Sequence, residues 1–551
     1  MAPLGTFLLM TIVTAGFAFS FWGWGAGAAR GLKLPSYVEG LLGIFVVGFI
    51  TLFLNFFIPI SPFISSAITA VGAGSGILVL KKSGPKARSG YGTEFAYVGF
   101  FLLVFLAWSQ ASAVVYDTGL YHLPILKWKQ DFATPLGVVH LHSRLATNSV
   151  WFAAAASTLL PDLGVDPAFC LNILFAAFTA RLLLLASPND GTIISFWLGG
   201  LMLLCLVLFN GPLAFVGSVS NDLPTNLLPL ICVFLAVRSW EQRRYDPALP
   251  LFAVLSTTIK ASGALNVLIC LPPLVLLGMN AVKATLASQI WRTLAFLGGC
   301  LILWCTYGIL TSGCLVYPFS GTCLYALPWS ATPADVAGEM GAIKAWARSP
   351  FGHPDVVLKD WAWLPAWWAS FNDLPLIRAT AILGVVGALG ILAKSLLRKA
   401  PFPRLILGLG VALVVPLAAW FISAPDPRFA FGYFLALGCL PAAWVFAKTA
   451  GKRLAYYAPL GILAICALTG LTKLNRAWPT QLKSATLPLA AHDGTQGKVS
   501  LMKAGGIELK QPVGTDQCWM QTPPCTPYVR KGWTGVMHGY HMIFTRVEPA
   551  I

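Results

Sequence analysis

Apolar stretches of near-bilayer length run along the whole chain, separated by short polar segments. They read approximately as residues 4–28, 38–58, 63–80, 94–115, 168–187, 192–210, 223–238, 248–260, 263–279, 293–311, 376–397, 404–422, 429–447 and 453–471. A helix needs about 20 apolar residues to cross the hydrocarbon core, and only helices or closed barrels satisfy their backbone there. The pattern therefore predicts an all-α polytopic membrane protein of about 14 transmembrane helices. The least regular stretch, Leu249–Met279, is long for one crossing and short for two. A tight pair or a helix broken around Thr258–Ser262 fits it, because an even crossing keeps Lys283 and Arg292 on the side of the other cations. The first run ends in GAGAAR, as a cleavable leader would, but it lacks a basic start and more spans follow at once. It is expected to be a retained helix with its N-terminus outside.

Composition agrees. Of 551 residues, 57% are hydrophobic and 10% charged, and mean hydropathy is +0.74. No soluble fold hides so much apolar surface behind so few charges. The net charge of +17 does not point to nucleic acid, because the cations fall in short loops between spans: Arg30 and Lys33; Lys81, Lys82, Lys86 and Arg88; Arg238, Arg243 and Arg244; Lys283 and Arg292; Lys394, Arg398, Lys399 and Arg404; Lys448, Lys452 and Arg453. The positive-inside rule puts these loops in the cytoplasm. Both termini and three large segments, Tyr116–Asp166, Thr311–Pro375 and Lys473–Ile551, are then outside, with the short turns Ser218–Asn226 and Ser423–Phe429 beside them. The expected organisation is extra helices in 1–92, a core in 93–472 with outer loops 116–166 and 311–375, and an extramembrane segment in 473–551. Within that last segment, GKVSLMKAGGIELK predicts a small β element.

Most of the 12 cysteines, such as Cys205, Cys232, Cys270, Cys300 and Cys305, lie singly in spans, where a thiol is a small apolar filler. Cys314 and Cys323, and Cys518 and Cys525, instead bracket short loops on the outer side. These pairs read as disulfides of an oxidising compartment, since neither spacing suits zinc.

The candidate chemistry also gathers outside. Asp117, His122, His140, His142 and Arg144 lie within one run, VYDTGLYHLPILKWKQDFATPLGVVHLHSR, after a long span. Asp117 reads as a general base, as a metal ligand, or as the N-cap of a following interfacial helix with Lys127 and Lys129 turned to headgroups. The imidazoles His122, His140 and His142 would hold a divalent cation, Mg or Mn, with Asp117, or hydrogen-bond substrate; Arg144 suits a phosphate. In SNDLPTN, Asp222 is a second acid or a cap. In SAPDPRFAFGYF, Arg428 enters at membrane level as a phosphate fork or as the partner of Asp426. Lys260, in TTIKASG, faces a cavity if the helix breaks there. Trp361–Phe371 reads as an aromatic belt or a sugar-stacking platform.

These motifs carry a resemblance. A carboxylate after an early span, the turn NDLPTNLL, and PDPRFAFGYF resemble the corresponding parts of the GT-C superfamily of membrane glycosyltransferases. YDTGLYH, HLHSRLATNSVWF, SGCLVYPFSGTC and QCWMQTPPCTPY resemble an uncharacterised bacterial family of GT-C-like proteins, over most of the chain from Tyr116. The resemblance implies a GT-C-like fold that transfers a sugar from a polyprenyl-phosphate donor to a glycan or lipid acceptor, at the outer face of a bacterial inner membrane. Asp117 would be the base. Arg428 and Arg144 would hold the donor phosphate, and the histidines would orient acceptor or metal. The C-terminal segment would be a lid or acceptor-docking cap. The chain departs from the GT-C plan in its extra N-terminal spans and in lacking a paired-acid motif in the first outer loop, which leaves metal use open. A transporter or flippase of a lipid-linked sugar, and a surface-polysaccharide polymerase, are the alternatives.

Overall fold

The computed structural model describes residues 3–112, 115–160, 167–187, 190–286, 289–399, 401–477, 498–528 and 530–547. Among these, eleven helices are long and apolar enough to cross a membrane. Three more apolar helices, Cys170–Leu183, Ile193–Phe209 and Ala248–Ile259, are shorter. Every one of these helices falls on a predicted apolar stretch. Each of the three short ones stops within four residues of the end of its predicted run. The chain is thus a mostly helical, multi-pass membrane protein.

Local chemistry sets the boundaries. Ser61 accepts from Ile64 N, and Pro62 opens the helix Pro62–Lys82, since a first-turn proline lacks only an N–H that would be unpaired anyway. Gly313, at φ 75°, ends Ile290–Ser312. The first three helices meet backbone to backbone: a Cβ on Gly25 would lie 1.7 Å from the Glu39 carbonyl oxygen, and one on Gly23 2.0 Å from that of Gly72. Small residues allow this approach where lipid gives no hydrophobic drive to association.

The irregular stretch is a broken pair. The helix Ala248–Ile259 ends at Lys260, which is extended (φ −152°, ψ 134°). A tight-turned stretch, Ala261–Cys270, then leads into Leu271–Leu286, itself interrupted at Gly278 (φ 76°). The Ser256 hydroxyl donates to Gly263 O and accepts from Asn266 Nδ2, which joins the two arms.

At one end, Arg292 Nη1 donates to Gly31 O, Arg238 pairs with Asp246 at 3.2 Å, and Arg181 pairs with Glu94 at 2.7 Å. At the other end, the segments expected outside touch one another. There the C-terminal segment forms two antiparallel hairpins. The first, β1 (Val499–Ala504) with β2 (Ile507–Pro512), turns through Gly505 and Gly506, both at positive φ, as a two-residue turn requires. The second, β3 (Trp533–His538) with β4 (His541–Arg546), was not read from the sequence. It docks on the first outer segment through Phe544 N to Leu136 O and Leu136 N to Met542 O. Residues 161–166 of the first outer segment and 478–497 of the tail lie outside the described residues.

Candidate active site

Asp117 opens a five-residue π-turn, Thr118–His122, that runs into the helix Leu123–Asp131. Its side chain makes no capping hydrogen bond. The carboxylate instead meets two guanidinium groups, Arg428 Nη1 at 3.1 Å and Arg144 Nη1 at 3.6 Å. Both arginines reach a second acid. Arg144 Nε lies 3.5 Å from Glu339, whose other oxygen accepts from the Ser143 hydroxyl at 2.6 Å. Arg428 Nε lies 3.0 Å from Asp426. The two expected roles of Arg428, phosphate fork and partner of Asp426, therefore begin from the same geometry.

The turn carrying Arg428 is held at its backbone. Trp367 Nε1 donates to Pro425 O at 2.6 Å, and Trp420 Nε1 donates to Asp426 O at 2.8 Å. Arg428 N donates to Asp426 Oδ1, and Asn226 Nδ2 donates to Arg428 O at 2.7 Å. Asn226 belongs to the NDLPTN motif, so the two outer turns singled out in the sequence are locked together. Asp222, beside it, does not cap its helix but pairs with Lys260 at 2.9 Å. Lys260 arrives because its helix breaks there, and its ammonium lies 3.6 Å above the Phe429 ring.

A sequence profile for a domain of unknown function, DUF8201, matches residues 6–435. The chain belongs to the DUF8201 family. No curated protein and no solved structure matches it. The DUF8201 region contains Asp117, Arg144, Asp222, Lys260, Glu339 and Arg428, and ends before the C-terminal hairpins.

His122 is fully enclosed in this DUF8201 site. Its ring packs against Tyr121 and Phe152, and among the described residues neither nitrogen has a hydrogen-bond partner. Burial pushes its pKa down to about 4; Asp117 and Asp222 oppose the shift, while Arg428 and Lys260 add to it. It is therefore a neutral imidazole at pH 7, able to donate one hydrogen bond and accept another.

His140 and His142 do not join it. His142 Nδ1 accepts from Arg144 N at 3.0 Å and its ring faces Tyr528. Burial, then Arg144 and Arg530, push its pKa down to about 3. His140 is likewise pushed down by burial and lies near Asp335. His142 thus shapes the Arg144 turn. Among the described residues, no three His, Cys, Asp or Glu side chains come together as metal ligands. Asp117, His122, His140 and His142 thus do not fit the expected cation, and no step is derived through one.

Three further expectations are corrected or refined. The helix after Asp117 does not present both amines to headgroups: Lys127 pairs with Asp131, while Lys129 turns inward to Asn55 Oδ1 and the Tyr307 ring. Burial pushes Lys129 down to about 7. The Trp361–Phe371 segment is divided. Trp361 and Trp368 are exposed, while Trp363, Trp367 and Phe371 are buried, and Trp367 braces the Arg428 turn. Both expected disulfides, Cys314–Cys323 and Cys518–Cys525, are formed. Sequence reasoning missed Glu339 and Ser143. Glu339 is one of five acids in its outer segment, with no motif to mark it.

Proposed function

We propose that this protein is a glycosyltransferase that moves a sugar from a polyprenyl-phosphate donor to a lipid-linked or surface-glycan acceptor, at the outer face of a bacterial inner membrane. The observation that carries the reading is the contact of Asp117 with two arginines at the end of a transmembrane bundle. It puts a proton acceptor and phosphate-binding forks in one place.

The charges suggest how the site works. Three cations, Arg144, Arg428 and Lys260, face four carboxylates, Asp117, Asp222, Asp426 and Glu339. Without donor, the guanidinium groups neutralise the acids. A donor phosphate competes for the same forks, which match its oxygens in pairs. As the arginines turn to phosphate, the Asp117 carboxylate is released from its ion pairs and is free to meet the acceptor hydroxyl. It then takes the proton of the acceptor hydroxyl while the sugar leaves the phosphate. The arginines stay on the phosphate, where negative charge grows. Neutral His122 and the Asp222–Lys260 pair line the acceptor side.

A flippase would share the helix break at Lys260. It would move the lipid-linked sugar without breaking a bond, and a polymerase would need a lipid-diphosphate glycan as both donor and acceptor. The test is incubation of the purified protein with labelled polyprenyl-phosphate sugars and a mixed lipid acceptor. Transfer of label to acceptor is expected. Label that crosses vesicles unchanged, or that moves only from lipid-diphosphate glycans, would replace the reading with one of the others.

A further inference from the structure

The C-terminal segment lies beyond the family match, which ends at residue 435, yet it closes over the site. Two short segments supply the residues that face each other there: Tyr116–His122 carries Asp117, and Leu141–Arg144 carries Arg144. The tail grips both. On the first, Gln517 Nε2 donates to Tyr116 O at 2.7 Å, the Tyr116 hydroxyl donates to Asp516, and Trp519 N donates to Gly119 O at 2.9 Å. On the second, the Thr526 hydroxyl donates to Leu141 O at 3.0 Å, and the Tyr528 ring lies 5.2 Å from that of His142. The two grips stand at either end of the loop closed by Cys518–Cys525, so the cystine fixes their spacing. That loop is in turn anchored to β2 by Lys510 N to Pro524 O and Thr526 N to Lys510 O. Gly119 makes the fit possible: a Cβ there would lie 2.5 Å from the Trp519 indole.

We propose that the cystine-closed loop, with Trp519 seated on Gly119, is a positioning clamp that holds Asp117 against Arg144, so that a segment beyond the DUF8201 region completes the site. Trp519 is a positioning residue and touches no reacting atom. The clamp itself rests on contacts; only its effect on turnover rests on the transferase reading.

The test uses the full-length protein as Gly119→Ala, Trp519→Ala, the double variant, Trp519→Phe, and Cys518→Ser with Cys525→Ser. Amide exchange is read over residues 116–122 together with the kinetics of labelled-sugar transfer. Trp519→Ala and the cystine variant are expected to speed exchange over 116–122 by about tenfold, through local opening, and to leave the spans unchanged. Turnover falls by a larger factor than the KM for donor rises, because Arg144 is loosened while Arg428 sits on a different element. Trp519→Phe, which keeps a ring and the backbone donor, restores most of both. The double variant is no worse than Trp519→Ala, since contacting residues are not additive. Unchanged exchange in Trp519→Ala, or losses from Gly119→Ala and Trp519→Ala that multiply, overturns the clamp. If exchange responds as expected while the parent protein transfers no polyprenyl-phosphate sugar, the transferase reading fails and the clamp stands.

Discussion

One helix, Asp222–Glu241, carries a carboxylate near each of its ends, and the two are solvated differently. Glu241 accepts from Ile194 N, Ser195 N and the Ser195 hydroxyl, all neutral donors at the start of the helix Ile193–Phe209. Nearby, Asp246 accepts from Ala248 N and the Tyr37 hydroxyl as well as from Arg238. At the opposite end, Asp222 is matched by Lys260 and Asp117 by Arg428 and Arg144. Among the described residues, no backbone N–H donates to the Asp117 carboxylate. Acids held by fixed amides and hydroxyls are joints between helices. On the proposed reading, Asp117 and Asp222, which cationic side chains hold, are the acids whose partners another anion can take. Beside them, both His122 nitrogens are unpaired among the described residues, which a finished joint would not leave. The cation-rich end holds the bundle together, and on the proposed reading the Asp117 end keeps capacity for a ligand.

The sharpest way to break this comparison is to neutralise one acid at each end. Asp117→Asn should lower transfer by about 10²–10⁴-fold, the range for loss of a general base, while the unfolding midpoint in detergent barely moves. Full activity in that variant would remove Asp117 from the mechanism. Arg428→Ala should weaken donor binding by about tenfold to a hundredfold, as loss of a charge-assisted hydrogen bond does. It should leave acceptor binding nearly unchanged; equal loss for both would make the arginine a structural partner of Asp426. Asp246→Asn should do the reverse, costing on the order of 3 kcal/mol of stability because Arg238 stays buried without its anion. Turnover of the surviving folded protein should be normal, and a turnover defect at native stability would erase the contrast between the ends.

The smallest effect concerns pH. The folded pKa of His122, about 4, lies below its ordinary value of 6.5. The unfolded chain therefore binds this proton more readily, and the stability of the neutral ring is complete above pH 6.5 and declines as pH falls toward 4. Melting curves across that window should shift downward, and less so in His122→Phe. An equal slope in both proteins would mean that His122 is not held neutral.

Much of this contrast was legible in the sequence. Apolar periodicity located the helices, because a span must be apolar wherever it meets lipid. It also located the break at Lys260, where a cation interrupts a run too long for one crossing. Cation-rich loops gave the relative sides. Asp117 and Arg428 stand 311 residues apart, yet both were marked as charges at span ends on one face. What failed depended on direction rather than position. HxH does not say where two imidazoles point, and in the fold His140 and His142 turn away from Asp117. Lys129 looks like Lys127 in sequence, but two residues of helical rotation send it inward. Glu339 reaches Arg144 from a helix that opens with a capping box, Thr332 with Asp335, and nothing local in the sequence says what that helix faces.

The most direct measurement is a structure with polyprenyl phosphate bound. The predicted result is phosphate oxygens in the forks of Arg428 and Arg144, with the Asp117 carboxylate released toward the acceptor side and His122. A phosphate lodged elsewhere, with Asp117 still 3.1 Å from Arg428, would contradict the claim that this ion pair is a site waiting to be opened.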